Sequence, residues 1–221
     1  MSAIAATAAA LVAHGLEYDR PPAIDRRIRR WARVSRTHGV DRILWPLFPL
    51  GLPGGYITIA YALAHRLHRA KRRGGPAIVT SAWLGWLVHR AAKLAYERER
   101  PRRRNSRRRS DSYPSGHTTG ATALSVTSAY VLAREGVIST RAAVAIGSGA
   151  PLLMGAYRVI ADDHWATDVA GGWLLGGAIG LACNAVLADS LGGSDRHIKG
   201  PETRTRVRPR RARSESPTYA G

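Results

Sequence analysis

Charge is unevenly spread along this chain. Between its basic segments lie five stretches without Asp, Glu, Lys or Arg, at residues 43–64, 74–88, 116–133, 142–157 and 169–188. Each reads as a candidate membrane helix, because an apolar run approaching about twenty residues is what a bilayer core requires. The first is long enough to span but holds Pro46, Pro49 and Pro53. A regular helix is therefore expected to begin near Gly54, with a re-entrant or interfacial segment ahead of it. The run 74–88 is shorter and leads into "HRAAK". Small residues recur in the other three, and they let helices approach closely in lipid. The pattern predicts an all-α, multi-span transmembrane helical bundle with five clear spans. Its alternative is a soluble helical protein whose core helices are buried.

The two ends follow other patterns. Residues 2–16 are apolar but short for a span, so they form either a brief sixth crossing or a signal-like element that lacks a charged start. Over residues 24–36, Ile24, Ile28, Trp31 and Val34 recur at helical spacing while arginines fill the other faces. That is the pattern of a helix lying in the membrane interface. Beyond Asp189 the chain is rich in Gly, Ser, Thr, Pro and Arg without apolar periodicity, the composition of a disordered tail. The expected organisation is an N-terminal segment at 1–42 with the interfacial basic helix, a membrane-embedded domain at 43–190, and a basic disordered tail at 191–221. No internal repeat is visible.

Composition adds a partner to this picture. The 221 residues carry 34 Lys and Arg against 15 Asp and Glu, a formal net charge of +19. Such a balance calls for an anion: nucleic acid, acidic lipid headgroups or a phosphorylated substrate. The single cysteine, Cys183, excludes an intramolecular disulfide. Basic clusters fall on both sides of the expected spans, "HRLHRAKRR" at 65–73 and "RRRNSRRR" at 102–109. The positive-inside rule therefore gives no orientation.

Three segments place polar residues at the ends of apolar helices. In "KLAYERERP", Lys93 and Arg100 are seven apart, two helical turns, so both are expected on one helical face until Pro101 ends the helix. Two such cations could grip a phosphate, one as a point charge and one as a fork. In "PSGH", Pro114 and Ser115 mark a helix start, and Gly116 lets backbone approach a ligand. Free N–H groups there receive anions, and His117 stands beside them, where it could protonate a leaving oxygen. In "RVIADDHWATD", His164 and Asp168 are four apart. A helix starting near His164 would let the carboxylate hold one ring nitrogen and leave the other as a nucleophile, with Arg158 reaching the site through a loop.

In this order and spacing, Lys93 with Arg100 and Pro101, then Pro114 to His117, then Arg158, His164 and Asp168 resemble the phosphatidic acid phosphatase type 2 family. That family shares its site with the vanadium-dependent haloperoxidases. The resemblance covers roughly residues 43–190 and leaves the basic helix and the tail outside. It implies a membrane phosphatase acting on a lipid phosphomonoester or pyrophosphate, such as an isoprenoid diphosphate or phosphatidic acid. By similarity His164 attacks phosphorus to form a phosphohistidine, Asp168 holds its tautomer, and His117 is the general acid. Lys93, Arg100, Arg158, Ser115 and the Gly116 amide would hold the oxygens, which fits phosphoryl transfer by positioning and charge. No metal or other cofactor is expected, and no nucleic acid partner. The family's usual site face is extracytoplasmic, in a multi-pass cell-membrane protein.

Three features depart from the family. Tyr157 precedes Arg158 where the motif usually has Ser, Glu97 and Glu99 flank Arg98 and are expected to pair with nearby arginines, and the usual six-helix count would need residues 2–16 as a span. Elsewhere, the 102–109 arginines are expected to attract lipid pyrophosphate or other headgroups, and His65 and His68 to be interfacial. Asp162 and Asp163 are expected in a solvated loop, and Trp83, Trp86 and Trp173 in span or interface packing. Two other readings remain: a vanadate-dependent haloperoxidase, and a non-catalytic basic membrane protein that binds anionic lipid or nucleic acid.

Overall fold

The computed structural model describes residues 21–96, 98–101 and 112–198, with Ala3 and Thr7. The expected short span at 2–16 apart from Ala3 and Thr7, Glu97, the arginine run at 102–109 and the tail beyond residue 198 lie outside the described residues. Those residues fold as helices: α1 Ala23–Thr37, α2 Val40–Leu44, a 3₁₀ turn Trp45–Leu47, α3 Phe48–Gly51, α4 Pro53–Arg69, α5 Gly75–Ala95, α6 Gly116–Arg134, α7 Thr140–Ile160 and α8 Ala166–Ile198.

Local sequence sets most boundaries. α1 stops where Gly39 takes the left-handed region at φ 77°. Prolines 46 and 49 chop the next segment into short helical pieces, and Leu52 is extended because Pro53 follows it. The chain therefore turns by 64° before α4, whose first residue is the proline. Ser139 caps α7 by accepting a hydrogen bond from the Ala142 amide at 3.2 Å. α8 continues to Ile198, through residues 191–198 that composition assigned to the disordered tail, since no proline interrupts it before Pro201.

α6 is the central post. It packs against α5, α7 and α8, and its Thr, Ser and Ala side chains are buried on nearly every side. Tyr56 and Ala60 of α4 and Ile78 and Ala82 of α5 meet Leu124 and Val131 of α6, while Ile179 and Cys183 of α8 meet Ala123. Large apolar side chains face outward instead, among them Trp83, Leu87, Val144, Leu152 and Val186. A bundle with small residues inside and large apolar ones outside suits a lipid surround.

Of the five expected spans, α7 and the part of α8 from Ala166 to Ser190 are long and apolar enough to cross a membrane, and the bent pair Val40–Gly51 with Pro53–Arg69 would make a third. α5 and α6 form as helices of 21 and 19 residues but fall short of that apolarity. The reason for α6 is its central place: a helix wrapped by other helices has little lipid to satisfy. His65 and His68 are exposed near the end of α4.

Candidate active site

Helix direction alternates, so the C-terminal ends of α5 and α7 and the N-terminal ends of α6 and α8 gather at one end of the bundle. That gathering brings the three polar segments together. His164 lies in the turn between α7 and α8, just ahead of the helix start at Ala166. Its Nδ1 stands 3.4 Å from Oδ2 of Asp168, while Nη1 of Arg100 is 3.3 Å from its Nε2. Nδ1 has no partner in hydrogen-bond geometry among the described residues, so charge selects the tautomer: the carboxylate favours hydrogen on Nδ1, and the Arg100 donor favours a lone pair on Nε2. Burial, opposed by the Asp168 carboxylate and assisted by Arg100, lowers the imidazole from an ordinary 6.5 to about 3. The ring is therefore neutral at physiological pH.

Asp168 is buried and heavily engaged. Its Oδ2 accepts from the Trp165 amide at 2.8 Å and from the Ser112 hydroxyl, and its Oδ1 accepts from Nη1 of Arg98. The backbone around it is tied too, because the Ser115 amide donates to the Asp168 carbonyl at 3.1 Å. One hydrogen bond thus joins the start of α6 to the start of α8.

Ser115 caps α6 from an extended conformation, fully buried, and its hydroxyl accepts from Thr118. Gly116 follows with His89 of α5 pressed against it, so that a Cβ there would come within 2.8 Å of Nε2 of His89. His117 is next. Its ring lies 5.2 Å from that of Phe48, and a Cβ on Gly51 would come within 2.5 Å of its Cδ2. Nε2 of His117 is buried without a hydrogen-bond partner among the described residues, and Arg158, His164, Arg100 and Lys93 all lie within electrostatic reach of the ring. Nε and Nη1 of Arg158 are likewise buried and unpartnered, whereas its Nη2 pairs with Asp163 at 3.1 Å. Buried donors without partners belong where a ligand supplies them.

Some expected positions change. Lys93 is on α5, but the helix ends at Ala95 and Tyr96 is extended, so Lys93 and Arg100 do not share one helical face. Arg100 reaches His164 from an irregular strand that crosses over the α7–α8 turn, held there as Trp165 donates its indole N–H to the Glu99 carbonyl at 2.7 Å. Arg158 does not arrive through a loop, since it lies in the last turn of α7. Asp162 is not solvated: it is buried, and its carboxylate accepts from Arg29 of α1 at 2.7 Å and 3.0 Å. The left-handed turn at Asp162, with φ 61°, aims that side chain away from Asp163 and back toward α1.

Arg98 and Asp25 are absent from the sequence reading of the site. Arg98 is buried between two carboxylates, Asp168 on Nη1 and Asp25 on Nη2. The available signal was composition: Asp25 is the only acidic residue within 24–36, among arginines. A cavity of about 620 Å³ opens beside the site, lined by Asp41, Arg42, Trp45, Phe48, Tyr157, Ala161 and Asp163.

A family model described as the PAP2 superfamily matches residues 1–191, so the match begins well before residue 43 and takes in α1. Among solved structures the chain is similar to the first transmembrane PAP2 type phosphatidylglycerolphosphate phosphatase from Bacillus subtilis, at a TM-score of 0.69 and 22% identity, over 90% of this chain and 97% of that one. At that identity the likeness is one of fold. No curated protein matches the chain.

Proposed function

The chain belongs to the PAP2 superfamily, and from that premise we propose that it is a membrane lipid phosphatase working through a phosphohistidine at His164. The observation that carries this reading is the buried His164 ring, with Oδ2 of Asp168 3.4 Å from its Nδ1 and Nη1 of Arg100 3.3 Å from its Nε2, in electrostatic reach of His117, whose Nε2, like Nε and Nη1 of Arg158, is buried without a hydrogen-bond partner among the described residues.

The chemistry follows from those groups. A substrate phosphate settles against Lys93, Arg100, Arg158, the Ser115 hydroxyl and the Gly116 amide, which replace the water around its oxygens. Nε2 of His164 attacks phosphorus, the bond to the leaving oxygen breaks, and His117 gives that oxygen its proton. Asp168 takes the hydrogen bond from Nδ1–H, which strengthens as the ring becomes cationic. Water then attacks phosphorus, loses its proton to His117, and breaks the P–N bond to free inorganic phosphate. The substrate is a lipid phosphomonoester or pyrophosphate, with isoprenoid diphosphates, phosphatidic acid and phosphatidylglycerolphosphate as candidates. The cavity beside Phe48 is where its headgroup enters. The exposed apolar side chains of α1, Ile24, Trp31 and Val34, lie in an interface of anionic lipid. The site faces the extracytoplasmic side.

Phosphate release in detergent, with EDTA present, on a panel of lipid phosphates tests this. The wild type is expected to turn over, and His164→Ala to lose on the order of 10³-fold or more in kcat and to trap no phosphoenzyme. Equal release by both proteins would end the reading.

A further inference from the structure

We propose that Asp25, on the N-terminal basic helix, is a positioning residue for the reaction, acting through Arg98 on Asp168 and so on His164. The inference rests on the phosphatase reading given above and extends it to a residue outside all three motifs.

The contacts form one buried chain. Oδ2 of Asp25 accepts from Nη2 of Arg98 at 2.7 Å, and Nη1 of Arg98 donates to Oδ1 of Asp168 at 2.5 Å. Asp168 then faces Nδ1 of His164 at 3.4 Å. Relative exposures are 1% for Asp25, 3% for Arg98 and 0% for Asp168, so no water screens these charges. Asp25 also grips the start of α8 directly. Its Oδ1 accepts from the Thr167 amide at 3.0 Å and its Oδ2 from the Thr167 hydroxyl at 2.6 Å. The Thr167 amide is one of the first-turn donors that a helix cannot satisfy itself, so a carboxylate from another helix caps α8 one residue before Asp168.

Charge explains why the second carboxylate matters. A buried guanidinium facing Asp168 alone would neutralise it, leaving little negative potential for the imidazolium character that His164 gains on attack. With Asp25 on the other side, the three groups sum to one negative charge. Arg98 is then held by two acids, and Asp168 keeps charge to direct at Nδ1. Without the Asp25 charge, Arg98 and Asp168 form a neutral pair, and the net negative charge that faces Nδ1 is lost. Arg29 reinforces the arrangement from the next turn of α1: it pairs with Asp162, donates to the Pro101 carbonyl, and its guanidinium carbon lies 5.2 Å from the centroid of the Trp165 ring. The helix that meets the bilayer with its apolar face therefore holds the nucleophile's support with its polar face.

The test compares kcat, KM and the inhibition constant of inorganic phosphate for wild type, Asp25→Asn, Asp168→Asn, the double variant and His164→Ala, in one detergent. Asp25→Asn is expected to lose about 10-fold or more in kcat, with KM and phosphate inhibition within threefold, because Lys93, Arg100 and Arg158 are untouched. In the Asp168→Asn background it is expected to cost almost nothing further, since both changes act on one relay. Arg98→Lys, which keeps the charge but bridges only one carboxylate well, is expected to reproduce the kcat-selective loss, and serves if Asp25→Asn does not fold. Wild-type kcat in Asp25→Asn, an undiminished cost in the Asp168→Asn background, or parallel loss of phosphate binding would each overturn the proposal. Activity persisting in His164→Ala would instead sink the phosphatase reading, so the two failures are distinct.

Discussion

His164 stands between a carboxylate and a guanidinium, whereas His117 is wedged between the Phe48 ring and the space that Gly51 leaves open. One imidazole stands between charged partners and the other is held by shape. The difference matches what each ring is asked to do in the proposed reaction. A nucleophile must have its tautomer set before substrate arrives, so a carboxylate faces Nδ1 and a guanidinium faces Nε2 until the phosphate draws it away. A general acid must meet a leaving oxygen that only the substrate brings, so its Nε2 has no hydrogen-bond partner among the described residues. Cations surround His117, and the phosphate itself supplies the negative charge that lets an imidazolium stand among them.

The sharpest way to break this comparison is to remove the shape-held ring. His117→Ala is expected to slow hydrolysis of an alkyl phosphate on the order of 10²-fold, with little change in KM. The loss should shrink below about 10-fold for an aryl phosphate, whose leaving oxygen needs no proton. Phosphoenzyme should still form in this variant, unlike in His164→Ala. Equal losses for both leaving groups would mean that His117 binds phosphate instead of donating to it.

A smaller intervention tests the wedge. In Gly51→Ala the new Cβ would come within 2.5 Å of Cδ2 of His117 and 2.9 Å of Sδ of Met154, so the ring or the short helix must move. A misplacement of this size is expected to cost about 10-fold in kcat for alkyl phosphates and to leave aryl phosphates nearly unaffected. His164 would keep its anchors. An identical loss on both substrates would show that the change had disturbed the whole pocket.

The same contrast shows how much the sequence could tell. Lys93, Ser115, His117, Arg158, His164 and Asp168 were legible because each sits at or next to the end of a helix whose apolar body is visible in the chain, and alternating helices bring such ends together. Arg100 was found, but through a helix that does not exist, because nothing local revealed that Tyr96 would extend. Asp25 and Arg98 were missed for a different reason. Their partners are 73 and 70 residues away, and the lone acid among the arginines of residues 24–36 marks Asp25 as unusual without showing what it meets. Periodicity did find α6 as a helix, although its buried threonines face other helices and leave it short of the apolarity of a span; Asp162 was misjudged, since its solvated look came from its neighbours in sequence alone.

The last test uses protons to read the anchored ring. His164 falls from an ordinary 6.5 to about 3 in the folded protein, chiefly through burial. Between those values the unfolded chain carries a proton on this imidazole and the folded chain does not. Stability therefore rises with pH across that window, by about 1.4 kcal/mol per pH unit at most, and the contribution is fully present above 6.5. Carboxylates elsewhere titrate over part of the same range, so the informative quantity is a difference. In His164→Asn the dependence on this ring is gone, and the apparent Tm of wild type minus that of the variant should fall as pH goes from 7 to 4. Were the Asp168 contact strong enough to hold His164 as an imidazolium, that difference would rise instead.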